Sequence, residues 1–164
     1  MRKKLVLAVA CAAVAGALLI PAGSGSAAST GVCALNGTAK VNPPLTLKKH
    51  SFTFSFAGKL SSCTGTGNAK SGTLSASGTG SGTCASTKGS GSASIKWNTG
   101  QSSAISFSFS GTGNVVTVNG KVNSGLFAGQ SVKAQLAFTK TTPAPTACTS
   151  SGVSSFSFTG AAEL

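Results

Sequence analysis

From residue 51 onward the chain alternates apolar and polar side chains. In SFTFSFAGKL, Phe52, Phe54, Phe56 and Leu60 share one phase, with Ser51, Thr53 and Ser55 on the other. The same two-residue period places Ala93, Ile95 and Trp97 against Ser94 and Lys96. It recurs with Ile105, Phe107 and Phe109, with Val132, Ala134, Leu136 and Phe138, and with Phe156 and Phe158. Successive side chains of a strand point to opposite faces, so this pattern predicts strands with one buried and one wet face. Weaker alternation predicts further strands at 32–41, 71–78 and 113–123. The last contains Asn119-Gly120, either a hairpin turn or a glycine within a strand. No segment of the Ser/Thr/Gly-rich region beyond residue 28 sustains a helical period, and its composition disfavours helix.

About eight short strands separated by Gly, Ser, Thr and Pro clusters argue for a sandwich or a barrel. The expectation is an all-β, antiparallel two-sheet sandwich of the immunoglobulin-like kind. Residues 61–92 hold almost no bulky side chain and read as a loose edge strand between long loops, with Cys63 and Cys84 pinning its ends. TTPAPTA at 141–147 reads as a second loop. The recurring FSFAG, FSFSG and FSFTG at 54–58, 107–111 and 156–160 read as strands ending at turns, with all six phenylalanines in the core.

The chain starts differently. MRKK precedes the apolar run 5–20, then Pro21 and a Gly/Ser/Ala stretch. A basic head, an apolar middle and small residues at a cut site predict a secretory signal peptide, residues 1–28, cleaved after Ala28. The apolar run is shorter than the roughly 20 residues a spanning helix needs. Residues 29–164 then form one exported domain, large enough to bury roughly two-thirds of its unfolded surface. Loss of Arg2, Lys3 and Lys4 lowers the formal charge from +12 to +9, with every remaining cation a lysine.

Four cysteines follow the signal: Cys33, Cys63, Cys84 and Cys148. An even count in an exported chain predicts disulfides. Their wide spacing, and the single histidine His50, argue against zinc. Of three connectivities, Cys33–Cys63 and Cys84–Cys148 are favoured. The first links the arms of a hairpin folded near residues 42–48, where Asn42-Pro43-Pro44 is expected to break the chain; the second ties the middle of the domain to its last strand.

The chemistry available is narrow. Glu163 is the only acidic residue, so paired carboxylates for acid–base work are excluded, as is a Ser-His-Asp triad. His50 follows Lys48 and Lys49 at a loop-to-strand boundary and is expected to be exposed. No catalytic residue, metal site or cofactor is predicted. Without arginine beyond residue 28, and with phenylalanines in the buried phase, specific nucleic-acid binding is not expected. Lys59, Lys96 and Lys133 fall opposite their apolar neighbours and should point outward, serving solubility and guarding sheet edges. Together with Lys48 and Lys49 they are the candidate site for an anionic cell-envelope polymer. Trp97 shares the phase of Ile95 and is expected in the core.

The arrangement CALNGTAKVNPPLT, FTFSFAGKLSSC, SGTLSASGTGSGTC, IKWNTG, GKVNSGLFAGQSV and ACTSSGVSSFSFTG resembles a group of uncharacterised secreted proteins of high-GC actinobacteria. The resemblance implies the same exported β-rich fold and carries no activity with it. The functional expectation is a secreted, non-enzymatic structural or interaction module at the cell surface or in the medium. A basic binder of an anionic envelope polymer is the first alternative, and a carrier of a small apolar ligand the second.

Overall fold

The computed structural model describes residues 31–142 and 144–164; the expected signal peptide, its cleavage site and Pro143 lie outside them. Eight strands follow one another in order: β1 (Val32–Leu45), β2 (His50–Thr64), β3 (Gly72–Gly82), β4 (Ser86–Trp97), β5 (Ser102–Thr112), β6 (Val115–Gly125), β7 (Ser131–Thr142) and β8 (Val153–Glu163). A short 3-10 helix, Pro145–Thr149, interrupts the last connection. Each strand pairs antiparallel with its sequence neighbours, and β8 returns to pair with β1, where Ala34 faces Ala161 and Ala39 faces Phe156. The architecture is therefore a closed up-and-down barrel.

This corrects the expected sandwich. Alternation demands only one apolar face per strand, and a sheet curled onto itself satisfies that as well as two stacked sheets do. Closure also leaves no free edge, so the exposed lysines have no edge to guard. Residues 61–92 supply β3 and much of β4, two fully paired strands in place of a loose edge strand between loops. Gly120 lies within β6 opposite Phe107, so Asn119-Gly120 is not a turn. Of the three Phe-Ser-Phe-x-Gly segments, only the one ending at Gly111 stands at a strand end; Gly58 and Gly160 are interior to β2 and β8.

The glycines of β3 and β4 have a packing reason. They fall on the inward phase, in register with phenylalanines of the flanking strands: Phe54 faces Gly78, Phe52 faces Gly80, and Phe109 faces Gly89. A Cβ at Gly80 would stand 2.6 Å from Phe52 Cζ, one at Gly78 2.8 Å from Phe54 Cε1, and one at Gly89 2.7 Å from Phe109 Cε1. The rings of β2 and β5 thus lie over the stretches 78–80 of β3 and 89–91 of β4, where the inward positions are glycine. They meet there, with Phe54 edge-on to Phe109 at 5.3 Å between centroids. Covering glycine with a neighbouring ring restores packing where the strand alone would leave a gap, and glycine lets the sheet curve. A second cluster forms on the far wall, where Phe138 lies 4.8 Å from both Phe156 and Phe158.

Outside, the pattern inverts. Ser51, Thr53 and Ser55 on β2, Thr73 through Thr79 at alternate positions on β3, and Ser102, Ser106 and Ser108 on β5 are exposed. A barrel that spans a bilayer needs an apolar outer band; this outer wall is built of hydroxyls and lysines and suits water. Among the described residues no helix is long and apolar enough to cross a membrane.

Candidate functional site: an apolar lumen closed at one end

Both expected disulfides are present. Cys33–Cys63 joins β1 to β2. Near its end β2 carries an extra residue: Val32 pairs with Thr64 but Ala34 with Ser61, and Ser62 takes φ 52°. Such a bulge reverses the phase of the strand. It turns Cys63 inward beside Cys33, and both are buried.

That disulfide belongs to a sealed floor. Trp97 at the end of β4 is 2% exposed, and its Nε1–H donates to Ser103 Oγ at 2.8 Å. Ser103 Oγ donates in turn to the Leu126 carbonyl at 2.5 Å. The indole packs edge-on against Phe127, 5.4 Å between centroids. Both polar groups in this floor are thereby satisfied, which burial requires. The β2–β3 connection folds in with Thr66 Oγ1 donating to the Ala69 carbonyl, and both residues are buried. Leu164, hydrogen-bonded to Gly31 through both backbone groups, completes the seal. Trp97 is core, as its phase implied.

The opposite end is built from turns. Cys84 N–H donates to the Thr46 carbonyl, and Gly113 N–H to the Ala85 carbonyl, which links three successive hairpin turns. The β3–β4 turn and the β7–β8 connection face each other across the barrel, four strands apart in either direction. The disulfide Cys84–Cys148 joins them, so it crosses the mouth as a strap. Leu47 N–H donates to the Cys148 carbonyl and fastens the strap to the first turn as well.

Between floor and strap lies a lumen of about 160 Å³. Its wall is almost wholly apolar: Val41, Phe54, Leu74, Phe107, Val118 and Phe138 are among the lining side chains. These point inward and pack against the core, yet are only partly buried, because one side of each faces the lumen. Exposed Ala85, Ser86 and Gly113 also line it, so it opens at the mouth. An outer chamber of about 270 Å³ adjoins it and shares Cys84, Gly113, Phe138 and Phe156 with the lumen wall.

The lysines do not form one site. Lys48, Lys49, Lys59, Lys96 and Lys133 are all exposed, as their phase implied for the last three. Lys59 and Lys96 flank Thr73 in register on the outer wall, about 10 Å apart. Lys48 and Lys49 stand at the mouth, and Lys133 lies on β7, opposite β3. His50 is half-buried and not exposed as expected; it faces inward at the start of β2, with Nδ1 2.9 Å from the Lys48 carbonyl and Nε2 buried without a partner among the described residues. Those residues hold no cluster of three potential metal ligands.

Sequence reasoning found the phenylalanines and read them as packed core, missing the lumen they surround. The signal was there in part: glycines at the inward phase of 78–91, beside phenylalanine-rich strands. Comparison with known protein families, curated proteins and solved structures gives no match. The geometry of the lumen therefore carries the functional reading.

Proposed function

We propose that this protein is an exported, non-catalytic carrier that holds a small apolar ligand inside the barrel. The observation that supports the reading is the lumen itself: about 160 Å³ of apolar space, sealed at the Trp97 floor and open under the strap. Eight-stranded barrels have interiors that are either filled by side chains or just wide enough for one small ligand. Apolar cavities near 150 Å³ stay dry and take up benzene-sized guests. Here small residues such as Ala39, Ala76, Ala93 and Ala134 line the lumen and leave room that larger ones would close. The polar outer wall and the two disulfides fit a protein working in an oxidising, aqueous compartment. A purely structural module would gain nothing from an unfilled interior, so the carrier reading takes precedence over it.

Calorimetric titration with toluene tests the proposal. The wild-type protein should bind one molecule, and Ala93→Phe, which places a ring in the lumen, should not. Equal binding by both proteins would move the site elsewhere, and no binding by the wild type would overturn the reading.

A further inference from the structure

Building on the carrier reading, we infer that the ligand is amphiphilic: an apolar ring or short alkyl group in the lumen, and an uncharged hydrogen-bonding head in the outer chamber, held by the Thr141 hydroxyl. Thr141 reaches the chamber because β7 carries an irregularity. Phe138 pairs with Phe158, but Lys140 pairs with Ser157 and Thr141 with Phe156. One extra residue is accommodated between 138 and 140, which reverses the phase. Without it, the residue at 141 would point outward with Thr139; with it, Thr141 stands beside the inward Phe156 and lines the chamber.

Its Oγ1 is buried and has no hydrogen-bond partner among the described residues. That is unusual, because a buried hydroxyl left unpaired is costly and nearly all find a partner. The chamber around it is mixed in character. Asn114 contributes a polar group, while Phe138 and Phe156 form its boundary with the lumen. The two spaces share that boundary, so one molecule can place an apolar end below it and a polar end above it. Among the described residues the chamber lining holds no charged side chain, which favours a hydroxyl, carbonyl or amide head over a carboxylate or ammonium.

A matched pair of probes tests this. Butylbenzene and 3-phenylpropan-1-ol differ by a terminal methyl against a hydroxyl, and binding of each is measured by NMR titration of the whole protein. Thr141→Val should weaken 3-phenylpropan-1-ol about fivefold and leave butylbenzene unchanged; Thr141→Ser, which keeps the hydroxyl, should restore the alcohol. Equal losses for both probes in Thr141→Val, or no loss for either, would overturn the assignment of the head group while leaving the lumen intact. Failure of the wild type to bind either probe would overturn the carrier reading and this inference with it. Failure of Thr141→Ser to restore the alcohol would show that the hydroxyl is not the contact.

Discussion

The two ends of this barrel are closed by similar means and end in different states. Each carries a disulfide between segments far apart in sequence, Cys33–Cys63 at one end and Cys84–Cys148 at the other. At the first end Trp97, Ser103, Val122 and Leu164 are no more than 2% exposed, and each polar group of Trp97 and Ser103 is hydrogen-bonded. At the second, the crosslink runs over open space, and exposed Ala85, Ser86 and Gly113 look into the lumen. The difference lies in side chains and not in crosslinking. Large residues meet beneath the first disulfide. Beneath the second, glycines and half-buried rings leave a cavity. A disulfide restrains the unfolded chain at either end, but only packed side chains close an end.

Substitutions should separate the two ends, beginning with the floor. Trp97→Ala removes its largest side chain and leaves Ser103 short of a donor. A loss of about 4 kcal/mol in stability is expected, read by denaturant unfolding. A floor that tolerated this change with under about 1 kcal/mol would not be a packed core. Replacing Cys84 and Cys148 together by alanine removes a crosslink of sequence separation 64, worth about 4 kcal/mol at most in the chain-entropy model. Unlike Trp97→Ala, it should also speed toluene exchange, measured by NMR line shape, because the strap crosses the path to the lumen. Gly89→Val sharpens the contrast from the inside. Its Cβ would collide with the Thr79 carbonyl oxygen and stand 2.7 Å from Phe109 Cε1, so about 1–3 kcal/mol of destabilisation is expected, with Phe109 pushed toward the lumen. The smallest effect belongs to the outer wall: replacing Lys59 and Lys96 by glutamine should leave stability within about 0.5 kcal/mol and toluene affinity unaltered. A marked loss of affinity there would tie the ligand to the outer surface.

Much of this architecture was legible in the sequence. Strands β2, β5, β7 and β8 announce themselves through apolar side chains at every second position, while the first half of β4 falls in a stretch that reads as loop. The Cys33–Cys63 pairing followed from the hairpin expected near residues 42–48; the chain turns at 46–49, and Asn42-Pro43-Pro44 continues β1 and does not break it. The closure into a barrel was not legible, because Phe52, Phe54 and Phe56 would alternate identically in a sandwich. Residues 72–91 misled for a related reason. Gly78, Gly80 and Gly89 are covered by rings on other strands, and such a partnership leaves no trace in local hydrophobicity. The candidate site was hidden more deeply. The lumen is a deficit of side-chain volume across many strands, and Thr141 faces inward only because β7 accommodates an extra residue after Phe138.

A carrier of this kind needs a lumen that is dry, apolar and reachable from the mouth. A crystal structure determined under xenon pressure tests that most directly. Xenon density between the Phe54–Phe109 cluster and the Phe138–Phe158 cluster is the predicted result. A lumen that excludes xenon and holds instead a hydrogen-bonded chain of ordered water would contradict it.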